Sequence, residues 1–322
     1  MCVLCTDGRS RRNVLGLMAA APLAAALPSA TDAATGIVNY RAAFAVVRAE
    51  DERRLVVIRR FERDGTRLAL TVDPATLETA IRPEAWLAPD DENWPALRAT
   101  PYVSALWTLT GPPYPIENAG LTHARSGADG FFLTVDMCPS RRSFESAFFA
   151  SLSARAGREG RPMPVAISIS GYWAIDHAQE FASLIARQKL GELDVIWTNH
   201  SYTHRYLKGV PDRHNFMLTP HTDLEREVFL TEQLLIEHGM TPSIFFRFPG
   251  LVSDAYLVME LRRLGLVPLG ADAWLAKAQH PRPGSVVLVH GNGNEPQGIH
   301  DVRRYVADPA VRWLNLREAI VA

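Results

Sequence analysis

The apolar positions follow two different patterns, and the change lies near residue 130. Before it, short β-rich runs at residues 54–61 and 67–72 flank the dipeptide Asp64-Gly65. A turn of this composition between two such runs predicts an antiparallel hairpin. We therefore expect residues 34–129 to form a small β-rich accessory or lead-in region that carries no catalytic residues.

The proline-rich part of this region contains three tryptophans, Trp86, Trp94 and Trp107. An indole ring buries much apolar area when it packs in a core, and an exposed indole can stack on a sugar ring. We expect core packing for these residues, with carbohydrate contact as the alternative.

After residue 130, short apolar strands alternate with amphipathic helices. The predicted strands are residues 130–135, 164–170, 193–198, 243–248, 266–270 and 285–290. The predicted helices are residues 143–156, 175–190, 223–238 and 256–264. This alternation is typical of parallel β–α units, so residues 130–322 are expected to form an α/β domain. The number of repeats favours a closed or nearly closed barrel, in which catalytic groups lie at the carboxyl ends of the strands.

The composition excludes several classes of protein. Of 322 residues, 47% are hydrophobic and 21% are charged, which excludes a disordered, collagenous or coiled-coil chain. The formal net charge is −1, so the sequence carries no electrostatic sign of nucleic-acid binding. No apolar run after the first 33 residues is long enough to span a bilayer, and we expect no membrane anchor once those residues are removed.

Residues 1–33 have the features of an export signal. Arg11 and Arg12 precede a soft apolar run and then small residues, an arrangement typical of a twin-arginine signal. Cleavage there would remove Cys2 and Cys5 and leave Cys138 as the only cysteine of the mature protein. The expected location is therefore periplasmic or secreted.

Polar residues with catalytic potential follow several predicted strands. They are Asp136, the pair His200 and His204, Arg247, Asp272 and His290. Because the carboxyl ends of parallel strands meet at one rim, these side chains are expected to converge.

This set of side chains fits metal-assisted hydrolysis of an amide or ester. His200 and His204, four residues apart in one helical turn, can donate ring nitrogens to one divalent ion. Asp136 can take a proton from the attacking water, and Arg247 can keep that carboxylate ionised. His290 can protonate the leaving group, with Asp272 setting its basicity.

In order, the motifs resemble those of the polysaccharide deacetylases, the NodB-like domain of carbohydrate esterase family 4. They are an Asp near the end of the first strand, His-Ser-x-x-His, Arg-x-Pro, Asp-x-Trp and Leu-x-His. The resemblance covers residues 130–322 and implies a distorted (β/α) barrel with fewer than eight strands. It also implies a polysaccharide or oligosaccharide substrate that loses N-acetyl or O-acetyl groups.

The resemblance also implies roles for single residues. Asp136 matches the general base, His200 and His204 the ligands of a divalent metal, expected to be zinc, and His290 the general acid. Arg247 matches the residue that tethers the base, and Asp272 the carboxylate that tunes the acid. Pro249, Gly250 and Trp274 match positions at the substrate and the oxyanion.

The chain departs from the family pattern at three places. Met137 stands where the family has the aspartate that completes the metal site, and a thioether is a poor substitute for a carboxylate. The vacancy could be filled by Asp136, by water, or by a remote side chain such as His214 or His221. Gly250 lacks the usual aromatic side chain, and Ala273 separates Asp272 from Trp274.

Three hypotheses on function follow from this comparison. The first is an exported metal-dependent deacetylase of a polysaccharide. The second is a carbohydrate-binding pseudoenzyme without metal, and the third is a metal-dependent hydrolase of another amide or ester, because a fold alone does not set the substrate.

Overall fold

The computed structural model describes residues 36–90, 94–125 and 127–321. The export signal predicted for residues 1–33 lies outside the described residues and stays a prediction. Residues from Thr35 to Ala322 form one compact unit. Among its described helices, none has the length and apolar character that crossing a bilayer requires.

The amino-terminal part of this unit is an antiparallel sheet with the strand order β4-β3-β2-β1-β5. Its strands are β1 (Ile37–Ala49), β2 (Arg54–Arg63), β3 (Thr66–Val72), β4 (Thr79–Pro83) and β5 (Leu87–Pro89). β2 and β3 form the predicted hairpin, and Asp64 and Gly65 both adopt positive φ angles at its turn. Such angles suit glycine and, among other residues, Asp and Asn.

The second sheet consists of seven parallel strands in the order β10-β9-β8-β7-β6-β12-β11. They are β6 (Phe132–Met137), β7 (Met163–Ile169), β8 (Leu193–Asn199), β9 (Phe245–Phe246), β10 (Val267–Pro268), β11 (Ala273–Trp274) and β12 (Val286–His290). The sheet curls into a half-barrel, which confirms the predicted α/β barrel with fewer than eight strands.

Helices precede, connect and follow these strands. They are α1 (Trp94–Arg98), α2 (Pro101–Leu109), α3 (Ser146–Glu159), α4 (Gly171–Asp176), α5 (Ala178–Lys189), α6 (Leu224–Glu237), α7 (Ala255–Arg263), α8 (Pro296–Ala307) and α9 (Glu318–Val321). The single helix predicted over residues 175–190 is two helices, α4 and α5, which meet at His177.

Alternate residues of the parallel strands face opposite sides of the curled sheet. In β6, Leu133, Val135 and Met137 belong to the apolar cluster that α3, α5 and α8 cover on the outside. Phe132 faces inward and packs in a separate cluster. This period of two follows from strand geometry and decides which residues can reach the inside of the barrel.

The amino-terminal sheet shares its core with the inside of the barrel. Val56 and Ile58 of β2 belong to the same buried cluster as Phe132 of β6 and Val267 of β10. Tyr102 of α2 is in this cluster too, and its hydroxyl donates to the Gly265 carbonyl at 2.7 Å. The amino-terminal region therefore fills one end of the barrel.

Two tryptophans of this region differ from the expected core placement, while the side chain of Trp94 lies outside the described residues. Trp86 and Trp107 are 53% and 52% exposed, so they are surface residues. The guanidinium of Arg262 lies over the Trp107 ring, 4.6 Å from its centroid. That contact stabilises a surface indole without burying it.

A buried ion pair joins the two parts of the unit. Arg59 of β2 donates from Nε and Nη2 to Glu232 of α6, at 2.7 and 2.8 Å, and both side chains are almost fully buried. The Tyr40 hydroxyl donates to the same carboxylate at 2.8 Å. Burial, followed by the charge of Glu232, raises the Tyr40 pKa well above its usual value. Tyr40 therefore stays a neutral donor.

Removing one member of this pair is expected to destabilise the folded protein. Arg59→Met leaves the Glu232 carboxylate buried without its cation and should lower the free energy of unfolding by about 3–5 kcal/mol. The double variant Arg59→Met/Glu232→Met should show a smaller decrease in the free energy of unfolding, because no uncompensated charge remains. Urea denaturation measures both.

A surface ion pair provides the matched control. Arg312 and Asp129 lie 3.1 Å apart and are largely exposed, so Arg312→Met should leave the free energy of unfolding nearly unchanged. Equal losses in Arg59→Met and Arg312→Met would contradict the assigned importance of the buried pair.

Candidate active site

A buried carboxylate–guanidinium pair lies inside the barrel at the carboxyl end of β6. Asp136 Oδ1 accepts from Arg247 Nη1 at 2.9 Å, and both residues are almost fully buried. Burial raises the pKa of Asp136, but the charges of Arg247, His200 and His290 offset this and bring the pKa below its usual value. Asp136 is therefore an ionised carboxylate facing the site.

His200 follows β8 and is oriented by a backbone carbonyl. Its Nδ1 lies 2.8 Å from the Arg247 carbonyl oxygen, which can only accept, so Nδ1 carries the proton. Nε2 faces the site, where Cys138 Sγ lies at 3.4 Å and Asp136 Oδ2 at 3.7 Å. Burial lowers the pKa of His200, but the charges of Asp136 and Cys138 outweigh it and raise the pKa above its usual value. Such a fixed tautomer is what a metal ligand or a general base needs.

His204 lies beside His200, but the two do not share a helical turn as expected. The segment after β8 is an irregular loop in which Ser201 and His204 have positive φ angles of 63° and 45°. The two rings nevertheless approach to 4.6 Å between centroids. The His204 Nε2 atom is buried and has no hydrogen-bond partner.

A carboxylate on α6 holds this loop in place. Glu227 accepts from the backbone N–H groups of Tyr202 and Thr203, each at 2.8 Å, and from the Thr203 hydroxyl at 2.7 Å. Its side chain thereby offsets the loss of regular hydrogen bonding in the loop. Glu227 positions the two histidines without reaching the site itself.

Cys138 brings a third ligand atom to the two histidines. Single ligand atoms of Cys138, His200 and His204 all lie within 4.8 Å of one another. Burial raises the pKa of the Cys138 thiol, but the charges of His204, His290 and His200 offset this and bring the pKa well below its usual value. The neighbouring imidazoles therefore favour the thiolate, the form that binds metals.

Met137 does not face this cluster. It is fully buried in the outer apolar core, and a Cβ built on Gly291 would meet its sulfur at 2.8 Å. Since alternate residues of a strand share a face, Asp136 and Cys138 point inward and Met137 points outward. Position 138, rather than position 137, therefore supplies the side chain that lies beside the two histidines.

The other candidates for this vacancy lie elsewhere. His214 is exposed, and its Nε2 accepts from Arg213 Nε at 3.2 Å. His221 lines a separate cavity. Asp136 is engaged by Arg247, so the thiolate is the ligand that the described residues supply.

His290 ends β12 and pairs with Glu295. Its Nδ1 lies 2.8 Å from Glu295 Oε2, which also accepts from Trp274 Nε1 at 2.7 Å. Burial lowers the pKa of His290, but the charges of Cys138, Glu295 and Asp136 outweigh it and raise the pKa well above its usual value. These negative groups favour the protonated imidazole, the form that a general acid requires.

Asp272 does not reach His290, contrary to its expected position. It precedes β11, whose Ala273 pairs with Val287, and its Oδ1 accepts from the Val286 N–H at 3.1 Å. His290 is four residues further along β12, about 13 Å away at the usual rise per residue. Asp272 instead contacts His123 Nδ1 at 2.7 Å. Glu295 is the carboxylate next to His290.

These groups line a cavity of about 540 Å³. The wall includes Gly250 and Trp274 together with Asp136, Cys138, His200 and His204, whereas Pro249 is buried behind Gly250. Gly250 has a φ of 66°, and a Cβ there would lie 2.4 Å from the Phe216 ring. Phe216 thus supplies an aromatic wall at the place where Gly250 has no side chain.

The ligand set fits a zinc ion. A thiolate and two imidazoles are ligands that zinc accepts, and a catalytic zinc keeps three protein ligands and one open position. Usual Zn–S and Zn–N bond lengths in a tetrahedral site put sulfur and nitrogen about 3.5 Å apart. The Cys138–His200 distance of 3.4 Å and the partnerless His204 Nε2 agree with this arrangement.

No protein-family model matches the sequence. The fold is similar to a family 4 carbohydrate esterase from Bacillus anthracis, with 16% identity and a TM-score of 0.45 over 63% of this chain and 87% of that one. It is also similar to a family 4 carbohydrate esterase from Bacillus subtilis, with 15% identity and a TM-score of 0.44 over 62% of this chain and 84% of that one.

A pseudoenzyme of the same esterase family from Bacillus anthracis is also similar. It gives 13% identity and a TM-score of 0.42 over 62% of this chain and 68% of that one. Sequence identity to these three structures lies between 13% and 16%.

The pairing of His290 can be tested by titration. In protein stripped of metal by a chelator, Glu295→Gln should lower the pKa of His290, because a carboxylate that favours the imidazolium is lost. Asp272→Asn is the matched control and should leave this pKa unchanged. NMR titration of the histidine ring measures both. If only Asp272→Asn lowered the pKa of His290, Asp272 and not Glu295 would be the carboxylate that pairs with His290.

Proposed function

We propose that this protein is a zinc-dependent hydrolase that removes acetyl groups from a polysaccharide. The observation that supports it is the convergence of a thiolate–imidazole ligand set, an ionised Asp136 and a protonated His290 on one cavity. Hydrolysis of an amide or ester needs an activated water, a base and an acid, and these groups supply the protein's part of each.

Each residue of the site has a separate role in this reaction. Cys138, His200 and His204 hold the ion, which when bound polarises the acetyl carbonyl and lowers the pKa of water. Asp136 accepts the proton of the attacking water, and Arg247 keeps this carboxylate in place. His290 protonates the leaving amine or alcohol, supported by Glu295. Gly250 and Trp274 border the space for the acetyl group and the sugar.

The Cys138–His200 contact favours a second candidate, acyl transfer to the thiolate. A sulfur 3.4 Å from an imidazole nitrogen whose other nitrogen is held by a carbonyl is the geometry of an activated nucleophile. The sulfur would attack the acetyl carbonyl and form a thioester while the carbon–nitrogen bond breaks. His290 would protonate the amine, and water would then hydrolyse the thioester.

Substitution of Cys138 separates the two candidates. Cys138→Asp keeps three metal ligands and removes the nucleophile, so under the zinc proposal it should retain zinc and acetate release. Cys138→Ala should lower zinc affinity at least about 100-fold, beyond the usual effect of residues that only support a ligand. Competition with a chromophoric chelator measures affinity, and coupled acetate detection measures activity.

Met137 supplies the controls for this experiment. Met137→Leu should leave zinc affinity unchanged. Met137→Asp should bring no gain in affinity and should lower the free energy of unfolding by about 3–5 kcal/mol, because it buries an unpaired charge. If Met137→Asp tightened zinc binding, the assignment of Cys138 as the third ligand would be overturned.

The outcome of this series also addresses the remaining hypotheses. Acetate release that survives chelation but not Cys138→Asp would establish the thiol route. Zinc binding without acetate release from chitin oligomers, peptidoglycan or acetylated xylan would indicate a different amide or ester. Sugar binding with neither zinc nor hydrolysis would identify a pseudoenzyme. Export of the protein rests on residues 1–33 and stays a prediction.

A further inference from the structure

A second cavity lies at the opposite end of the barrel from the candidate active site. It has a volume of about 260 Å³, and Asp194 lines it at the amino end of β8. His200 follows the carboxyl end of the same strand, about 20 Å away at the usual rise per residue. Further wall residues are Thr79 of β4, residues 239–243 after α6, and Arg317 before α9. A ligand in this cavity therefore cannot contact the catalytic groups.

Arg317 brings a cation without a partner to the cavity. Arg317 is half-buried, and its guanidinium has no hydrogen bond or ion pair within the ranges that the structure describes. Its backbone N–H donates to Asn315 Oδ1 at 3.1 Å, which fixes the turn before α9. A guanidinium carries five N–H donors in a planar fork that matches the two oxygens of a carboxylate. A carboxylate in this cavity would therefore gain charge-assisted hydrogen bonds from Arg317.

Asp194 brings the opposite charge, but it does not pair with Arg317. Asp194 is half-buried, and its Oδ2 accepts from Asn315 Nδ2 at 2.6 Å. Its Oδ1 has no hydrogen bond to a residue of the described ranges. Charged side chains that are removed from water are usually paired. These two line one cavity and stay apart, so the space between them suits a ligand that carries both charges.

The neutral part of the wall adds hydrogen-bonding groups. Gln188 Oε1 accepts from Trp197 Nε1 at 2.7 Å, which orients the amide and leaves its NH₂ group as a donor. The Ser243 hydroxyl accepts from the Phe245 N–H at 3.2 Å and keeps its own proton to donate. The volume of about 260 Å³ lies below the usual range for drug-sized ligands, about 300–1,000 Å³. The cavity therefore fits a small polar molecule.

We propose that this cavity binds a free α-amino acid, with its carboxylate on Arg317 and its ammonium group on Asp194. An α-amino acid carries both charges within a few bonds, so one small molecule can meet both side chains. The inference goes beyond the proposed function, because it concerns a second site at the other end of the barrel and involves no hydrolysis.

Three small molecules of similar size test the proposal. At about pH 7 alanine carries both charges, propionate lacks the ammonium group, and ethylamine lacks the carboxylate. NMR titration of the full chain measures the dissociation constant of each. Alanine should bind at least about tenfold more tightly than either analogue, the effect expected of one charge-assisted hydrogen bond. Equal binding of alanine and propionate, or no saturable binding of alanine, overturns the proposal.

Single substitutions assign each charge to one side chain. Arg317→Gln should weaken the binding of alanine about tenfold and leave that of ethylamine unchanged, because ethylamine has no carboxylate for the guanidinium. Asp194→Asn should weaken the binding of alanine by a similar factor and leave that of propionate unchanged. Arg317→Lys should keep part of the affinity for alanine, because lysine retains the charge without the planar fork.

Arg303→Gln is the matched control. Arg303 is an exposed arginine of α8 that does not line the cavity, so this variant should bind alanine as tightly as the wild type. Urea denaturation shows that each variant is folded before it is titrated. Alanine binding that survives Arg317→Gln in folded protein overturns the assignment. Since the titration uses no polysaccharide, its result does not depend on whether the protein releases acetate.

Discussion

The buried guanidinium of Arg247 organises the candidate site. It donates to Thr134 and Asp136 from Nη1, and to the Gly270 carbonyl from Nη2. Its own backbone carbonyl accepts from His200. A charge at this depth is tolerated only when its donors are satisfied, so the ends of β6, β9 and β10 are fixed around it. The orientation of Asp136 and the tautomer of His200 both depend on this one residue.

Strand periodicity explains what the sequence could predict about the site and what it could not. The alternation of strands and helices located the barrel, and the carboxyl ends of its strands bring Asp136, His200, Arg247 and His290 together. The motif comparison puts the family's third-ligand position at residue 137 and leaves it vacant, and the Met137 side chain faces the helices. The rule that residues two apart share a face would have selected Cys138, because it follows Asp136 by two.

Other parts of the site carry no local signal in the sequence. Glu295 reaches His290 across a turn, and Glu227 reaches the histidine loop from α6, so neither pairing follows from sequence spacing. The prediction placed Asp272 at the carboxyl end of a strand over residues 266–270, but Asp272 lies directly before β11, and β10 and β11 are at opposite edges of the sheet. The His200–His204 spacing predicted a helical turn, but tertiary hydrogen bonds to Glu227 stabilise an irregular loop instead.

The shared core has a consequence for how such a chain can evolve. Val56 and Ile58 fill the end of the barrel, and Arg59 neutralises Glu232. The amino-terminal sheet therefore cannot be replaced by an unrelated sheet without disrupting the core of the barrel. Its replacement by recombination would require a new sheet that places apolar side chains in the end of the barrel and a buried cation next to Glu232. Divergence of this chain is therefore expected to proceed by substitution within the sheet and by loop changes at the open rim, rather than by shuffling of the amino-terminal region.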